Sequence, residues 1–152
     1  MKNVVGYLVL LGLWVCVLGQ AVRPTPETKT VATIRQCYFS IGQNKSGESG
    51  AIEFLAAAER KGIGLSSAVN ALRLNLDLTA QDLTNGTRLL REHSPVLDGW
   101  REPLLVFWVT NLPSRVSPSL LAEHRTVLIW SKGPNRTNDW GHGDDIFILR
   151  EK

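Results

Sequence analysis

Cysteine is nearly missing from this chain: it has two, Cys16 and Cys37, and Cys16 sits inside an apolar N-terminal run. Downstream of that run Cys37 has no companion, which excludes an intrachain disulfide framework and leaves the fold to its core or to partners. Its plain reading is a small buried side chain. Zinc-ligand spacing is also absent, because His93, His124 and His142 are scattered. No G-x-S-x-G elbow presents a nucleophile, and no Walker sequence or G-x-G-x-x-G follows a strand. Glu59, Glu102 and Glu123 read as surface charges rather than as a general acid/base pair. A non-enzyme is the expectation. Charge of one sign is lacking too: 17 Lys and Arg face 14 Asp and Glu, and the longest basic grouping is Arg60-Lys61. Without a basic stripe, no nucleic-acid partner is expected.

What the chain does have begins at its N-terminus. Lys2 precedes VVGYLVLLGLWVCVLG, residues 4 to 19, and then the polar junction Gln20-Ala-Val-Arg-Pro-Thr-Pro-Glu. One basic residue followed by an uncharged run has the form of an export signal, with Val17 and Gly19 as the small residues before a cut. Extended to Val22, the run spans most of a bilayer core of about 30 Å. A cleaved signal and a retained anchor are both open. The expected division is therefore 1–22 as signal or membrane-anchoring helix and 23–152 as one head domain.

Past Pro24 and Pro26 the apolar residues take helical spacing. Val31, Ile34, Tyr38 and Ile41 recur at steps of 3, 4 and 3, predicting an amphipathic helix over 28–42. A Gly- and Ser-rich loop over 42–50 ends it. Residues 51–61, 65–76 and 79–90 predict three more helices, with Ser66 or Ser67 capping the second of these and Thr79 with Asp82 forming part of a capping box on the third. After Pro95 the character changes to short branched and aromatic runs: LLVFWV at 104–109, TVLIW at 126–130 and DIFIL at 145–149. These predict strands. The fold class is α+β, an N-terminal helix and helical middle packed on a C-terminal antiparallel three-stranded meander. Trp108 and Trp130 fall in strands and read as core, whereas Trp100 and Trp140 are the tryptophans available to a glycan.

Between the last two strands lies Ser-Lys-Gly-Pro-Asn-Arg-Thr-Asn-Asp-Trp-Gly-His-Gly-Asp-Asp, residues 131–145. Adjacent carboxylates repel unless they are solvated or neutralised. Calcium takes six to eight oxygen ligands, and Asn135, Asn138, Asp139, Asp144 and Asp145 can supply several. The competing reading is a polar hairpin whose Asn and Asp side chains cap their own backbone. Three sequons, at Asn44, Asn85 and Asn135, read as coincidence.

Two phrases are similar to type II secretion major pseudopilins and type IV pilin-like proteins. Ser131-Lys-Gly133-Pro134-Asn135-Arg136, a loop and Asp144-Asp145-Ile146 resemble the family's Ser-x-Gly-Pro-Asp-Gly ending. Asp98-Gly99-Trp100-Arg101-Glu102-Pro103 keeps the Asp, Trp and last Pro of its Asp-Pro-Trp-Gly-x-Pro phrase. At the N-terminus Gly6 and Tyr7 match a prepilin start, but Leu11 stands where that family has glutamate. The resemblance implies a pilin-like fold and a structural subunit of a secretion or pilus-type filament engaged in protein transport. It implies calcium as cofactor, held by Asn135, Asp139, Asp144 and Asp145, and an assembly helix bearing Val31, Ile34, Tyr38 and Ile41. It further implies pilin-like subunits or secretion-system inner-membrane components as partners, and a bacterial inner-membrane location with a periplasmic or extracellular head. The alternative is a secreted glycan- or protein-binding module with a cleaved signal peptide.

Overall fold

A computed structural model describes residues 23–85, 94–122 and 125–149. The signal or anchor expectation for 1–22 lies outside the described residues, as do His93, His124 and Glu123. Helix α1 spans Pro26–Gly42, α2 Gly47–Arg60, α3 Leu65–Leu74 and the short α4 Asp82–Asn85. Strand β1, Leu105–Trp108, then leads through a 3-10 turn at Val109–Asn111 to α5, Pro118–Leu121, and to β2, Val127–Trp130. Helices packed on a small antiparallel sheet make the mixed α+β class.

Local chemistry explains the helix starts. Thr25 caps α1, its side chain accepting the Thr28 N–H at 3.2 Å, and Pro26 occupies the first helical position, where no N–H is needed. At the far end Asn44 is buried, and its amide donates to the Leu76 and Leu78 carbonyls at 2.9 Å each, tying the α1–α2 turn to the loop after α3. The expected loop over 42–50 is shorter than its composition implies, since Gly47–Gly50 form the first turn of α2. Neither Ser66 nor Ser67 caps α3; that position is Gly64, and the Ser66 hydroxyl accepts the Val96 N–H instead. Asp82 does reach back, accepting from the Thr79 N–H and hydroxyl at 2.7 Å each. The described helix there ends at Asn85, and the rest of the expected 79–90 helix lies mostly outside the described residues.

Among the described residues the sheet has two strands, not the expected three. Leu105 pairs with Trp130 and Trp108 with Val127 in one antiparallel ladder. The third run contributes a single bridge, Ser131 with Ile146. Ile146 and Ile148 nonetheless pack on one side and Phe147 on the other, the alternation of a strand. One face of the sheet, Val106, Val127 and Ile129, packs on the helical core of Ile34, Cys37, Phe54, Leu55, Val69 and Leu72. The opposite face, with Leu128 and Trp130, meets Val116 and Leu120 in a second cluster edged by Phe107, Trp140 and Phe147. Tyr38 joins α1 to the sheet, its hydroxyl accepting the Ile129 N–H at 2.8 Å.

Candidate functional site

The 131–145 loop is folded by its own polar side chains. Asn138 accepts from the indole N–H of Trp130 at 3.2 Å and from the Trp140 N–H at 3.1 Å. Trp140, at φ 59°, is held in a left-handed conformation that costs a non-glycine residue energy. Its ring lies against Phe107 and Trp130, with the Arg115 guanidinium 4.6 Å from the ring centroid. The Trp140 carbonyl accepts the Ser117 N–H, and the His142 ring lies 3.1 Å from the Arg115 carbonyl, so the segment before β2 braces the loop.

Asn135 links two of the acids. Its amide nitrogen donates to Asp139 at 2.9 Å and to Asp144 at 2.5 Å, while its N–H donates to Asp144 and its own oxygen accepts from Thr137. Asp145 is buried, with 8% of its surface exposed. Its Oδ2 accepts the Gly141 N–H at 2.8 Å, but its Oδ1 is buried without a partner. Burial pushes the carboxyl above its ordinary value, the backbone N–H groups of Gly141 and Asp139 pull it back, and the charges of Asp139 and Asp144 add to the push. Gly133, at φ 65°, lies so close to the Asp144 carbonyl that a Cβ would collide with it. Of the four residues singled out from sequence, Asn135 is bonded to Asp139 and Asp144, while the Asp145 carboxylate turns to the Gly141 N–H. As they stand, no three His, Cys, Asp or Glu side chains among the described residues are spaced to hold a metal ion. The amide nitrogen of Asn135 stands between two of the carboxylates. The Asn135 amide oxygen is turned the other way, to the Thr137 N–H, so the set offers carboxylate oxygens of the hard type that calcium takes but not, as it stands, the amide oxygen.

Sequence reasoning missed the joint beneath the loop. Ser131, fully buried, donates its hydroxyl to Asp98 Oδ2 at 2.5 Å and accepts the Gly133 N–H at 3.0 Å. Asp98, itself buried, accepts the Trp100 and Glu102 N–H groups at 2.9 Å each. The Asp-Gly pair at 98–99, a turn signal, was the only trace of it in the residues.

Searches against protein-family models, curated proteins and solved structures return no match to this chain. The resemblance to pseudopilins and pilin-like proteins is corrected accordingly. Among the described residues no helix is long and apolar enough to cross a membrane. The extended backbone of Thr25, at ψ 160°, starts α1 afresh, so α1 is not the outer part of a longer helix. Of the assembly positions, Ile34 and Ile41 are buried in this chain's own core, and Val31 and Tyr38 are half-buried. The pilin-like partners, the secretion-system components, the membrane contact through an N-terminal helix, the role in protein transport and the bacterial inner-membrane placement rested on that resemblance and are withdrawn with it.

Proposed function

We propose that this chain is a non-enzymatic α+β module whose 131–145 loop is held in shape by a bound calcium ion. The observation that supports this reading most is Asp145 Oδ1, a buried carboxylate oxygen with no hydrogen-bond partner beside two further carboxylates. An unpaired charge of that kind is costly in a protein interior, and a divalent cation turns mutual repulsion among Asp139, Asp144 and Asp145 into attraction. Rotation of the Asn135 amide, which gives up the hydrogen bond from the Thr137 N–H, would turn its oxygen toward Asp139 and Asp144 and complete an all-oxygen donor set of the kind calcium prefers. The role is architectural: the ion fixes the loop against β2, the 98–102 turn and the segment before β2.

The test is thermal unfolding of the chain in chelator and in millimolar calcium, with native mass spectrometry to count bound ions. Calcium at about ten times its Kd adds roughly 1.4 kcal/mol of stability, a rise of about 3 to 6 °C for a domain of this size. Asp144→Asn and Asp145→Asn each abolish the rise. Identical melting in both buffers, with no bound calcium by mass, defeats the proposal.

A further inference from the structure

A path of hydrogen bonds and close backbone contacts leads away from the loop. Gly133 packs on the Asp144 carbonyl and donates its N–H to the Ser131 hydroxyl, which donates to Asp98. The turn after Asp98 then meets α1: the Gly99 N–H donates to Thr30 Oγ1 at 2.9 Å, and that hydroxyl donates to the Pro26 carbonyl at 2.8 Å. Thr30 is fully buried, and a Cβ on Gly99 would collide with Pro26, so turn and helix start are in direct contact.

The donors along this path have no alternative arrangement. A carboxylate only accepts, so the single Ser131 proton goes to Asp98 and its lone pairs face Gly133. The single Thr30 proton goes to Pro26 and its lone pairs face Gly99. Moving the 131–133 segment away from Asp98 strands a buried hydroxyl and a buried carboxylate oxygen together, which makes the path either closed as a whole or opened to water. Loosening of the 131–133 segment therefore reaches the 98–102 turn, and that turn is bonded to Thr30 in α1.

We infer that cation binding in the 131–145 loop is transmitted through Ser131, Asp98, Gly99 and Thr30 to the first turn of α1, so that the loop sets how firmly that turn is held. This rests on the cation reading above, and it adds a regulated element about which that reading says nothing. The coupling is reciprocal: strain applied at Thr25 weakens ion binding.

Hydrogen exchange of the full chain, followed by mass spectrometry with and without calcium, tests it. The expected result is slowing at the loop amides and, in parallel, slowing of about fivefold or more at Thr28 to Thr30 and Gly99. Slowing in the loop with no change at Thr28 to Thr30 overturns this inference and leaves the cation reading standing. No slowing in either place overturns both. Thr30→Val keeps the side-chain shape and removes the acceptor for Gly99. In that variant the loop response persists and the response at Thr28 to Thr30 disappears; a persisting response there refutes the assigned path.

Discussion

Replacing Asp98 by alanine is the most demanding perturbation of this architecture. The carboxylate accepts three hydrogen bonds, from the Ser131 hydroxyl at 2.5 Å and from the Trp100 and Glu102 N–H groups at 2.9 Å each. Ser131 has no exposed surface, so its hydroxyl cannot turn to water without opening the loop. A buried group left without its charged partner costs about 1 to 3 kcal/mol, and each half-buried N–H of the turn adds about 0.5 to 1 kcal/mol. Asp98→Ala therefore loses about 2 to 5 kcal/mol, a large share of the roughly 5 to 15 kcal/mol typical of a domain. Ser131→Ala leaves Gly133 N–H unpaired and costs about 1.5 to 3 kcal/mol. Since both truncations break the same bond, the double variant loses less than the sum of the two by about 1 to 2 kcal/mol. Urea unfolding in chelator, extrapolated linearly to water, measures all three. A loss under about 1 kcal/mol for Asp98→Ala, or strict additivity of the pair, refutes the role assigned to this joint.

Asp145 gives a pH signature. Its folded value lies above the ordinary 3.8, chiefly from burial, so folding favours its protonated form. That contribution is fully present below the ordinary value and is lost as pH rises through the raised one. In chelator, stability declines over that window, and Asp145→Asn removes the decline; an unchanged pH slope in the variant counts against the burial argument. Gly133→Ala forces a Cβ into the Asp144 carbonyl at a left-handed position, and a loss of about 2 kcal/mol or more in urea unfolding is expected. Cys37 is buried, and burial pushes its thiol up to about 11, so at pH 8 only about one thiolate in a thousand is present. Alkylation mapped to Cys37 by mass spectrometry is accordingly slow until urea is added, and equal rates in both conditions contradict the packing described.

The helices were legible because their apolar residues repeat at the helical period and their breaks carry Gly, Pro or Asn. Pro24 and Pro26 marked the approach to the first helix, which starts at Pro26 rather than at 28, and Trp130 was visible as core. The third strand was misread for a physical reason. Ile146, Phe147 and Ile148 alternate sides like a strand, and periodicity records which side a residue faces, not whether its backbone finds a ladder. The Ser66 cap failed because a hydroxyl next to a helix start serves whichever N–H tertiary packing brings to it, here Val96. In the loop, residue types marked Asn135, Asp139 and Asp144, which are hydrogen-bonded to one another, but no three acids among the described residues are spaced to hold an ion. The amide nitrogen of Asn135 between them, and the unpartnered oxygen of Asp145, depend on side-chain direction and are invisible in composition. The pilin-like phrases misled because short glycine- and aspartate-bearing strings fit many turns.

The two faces of the sheet bear on how this chain acquires its shape. The second cluster draws only on residues between Leu105 and Phe147, whereas the helical core is built mainly from residues before Val106. During synthesis α1, α2 and α3 are completed while Val69 and Leu72 still await Val106 and Ile129. Until Val106, Val127 and Ile129 emerge, the side of the helical core that they cover has nothing to pack on. Slowing translation between Pro95 and Leu105 prolongs exposure of that side, making this interval the point in biogenesis at which aggregation competes with folding.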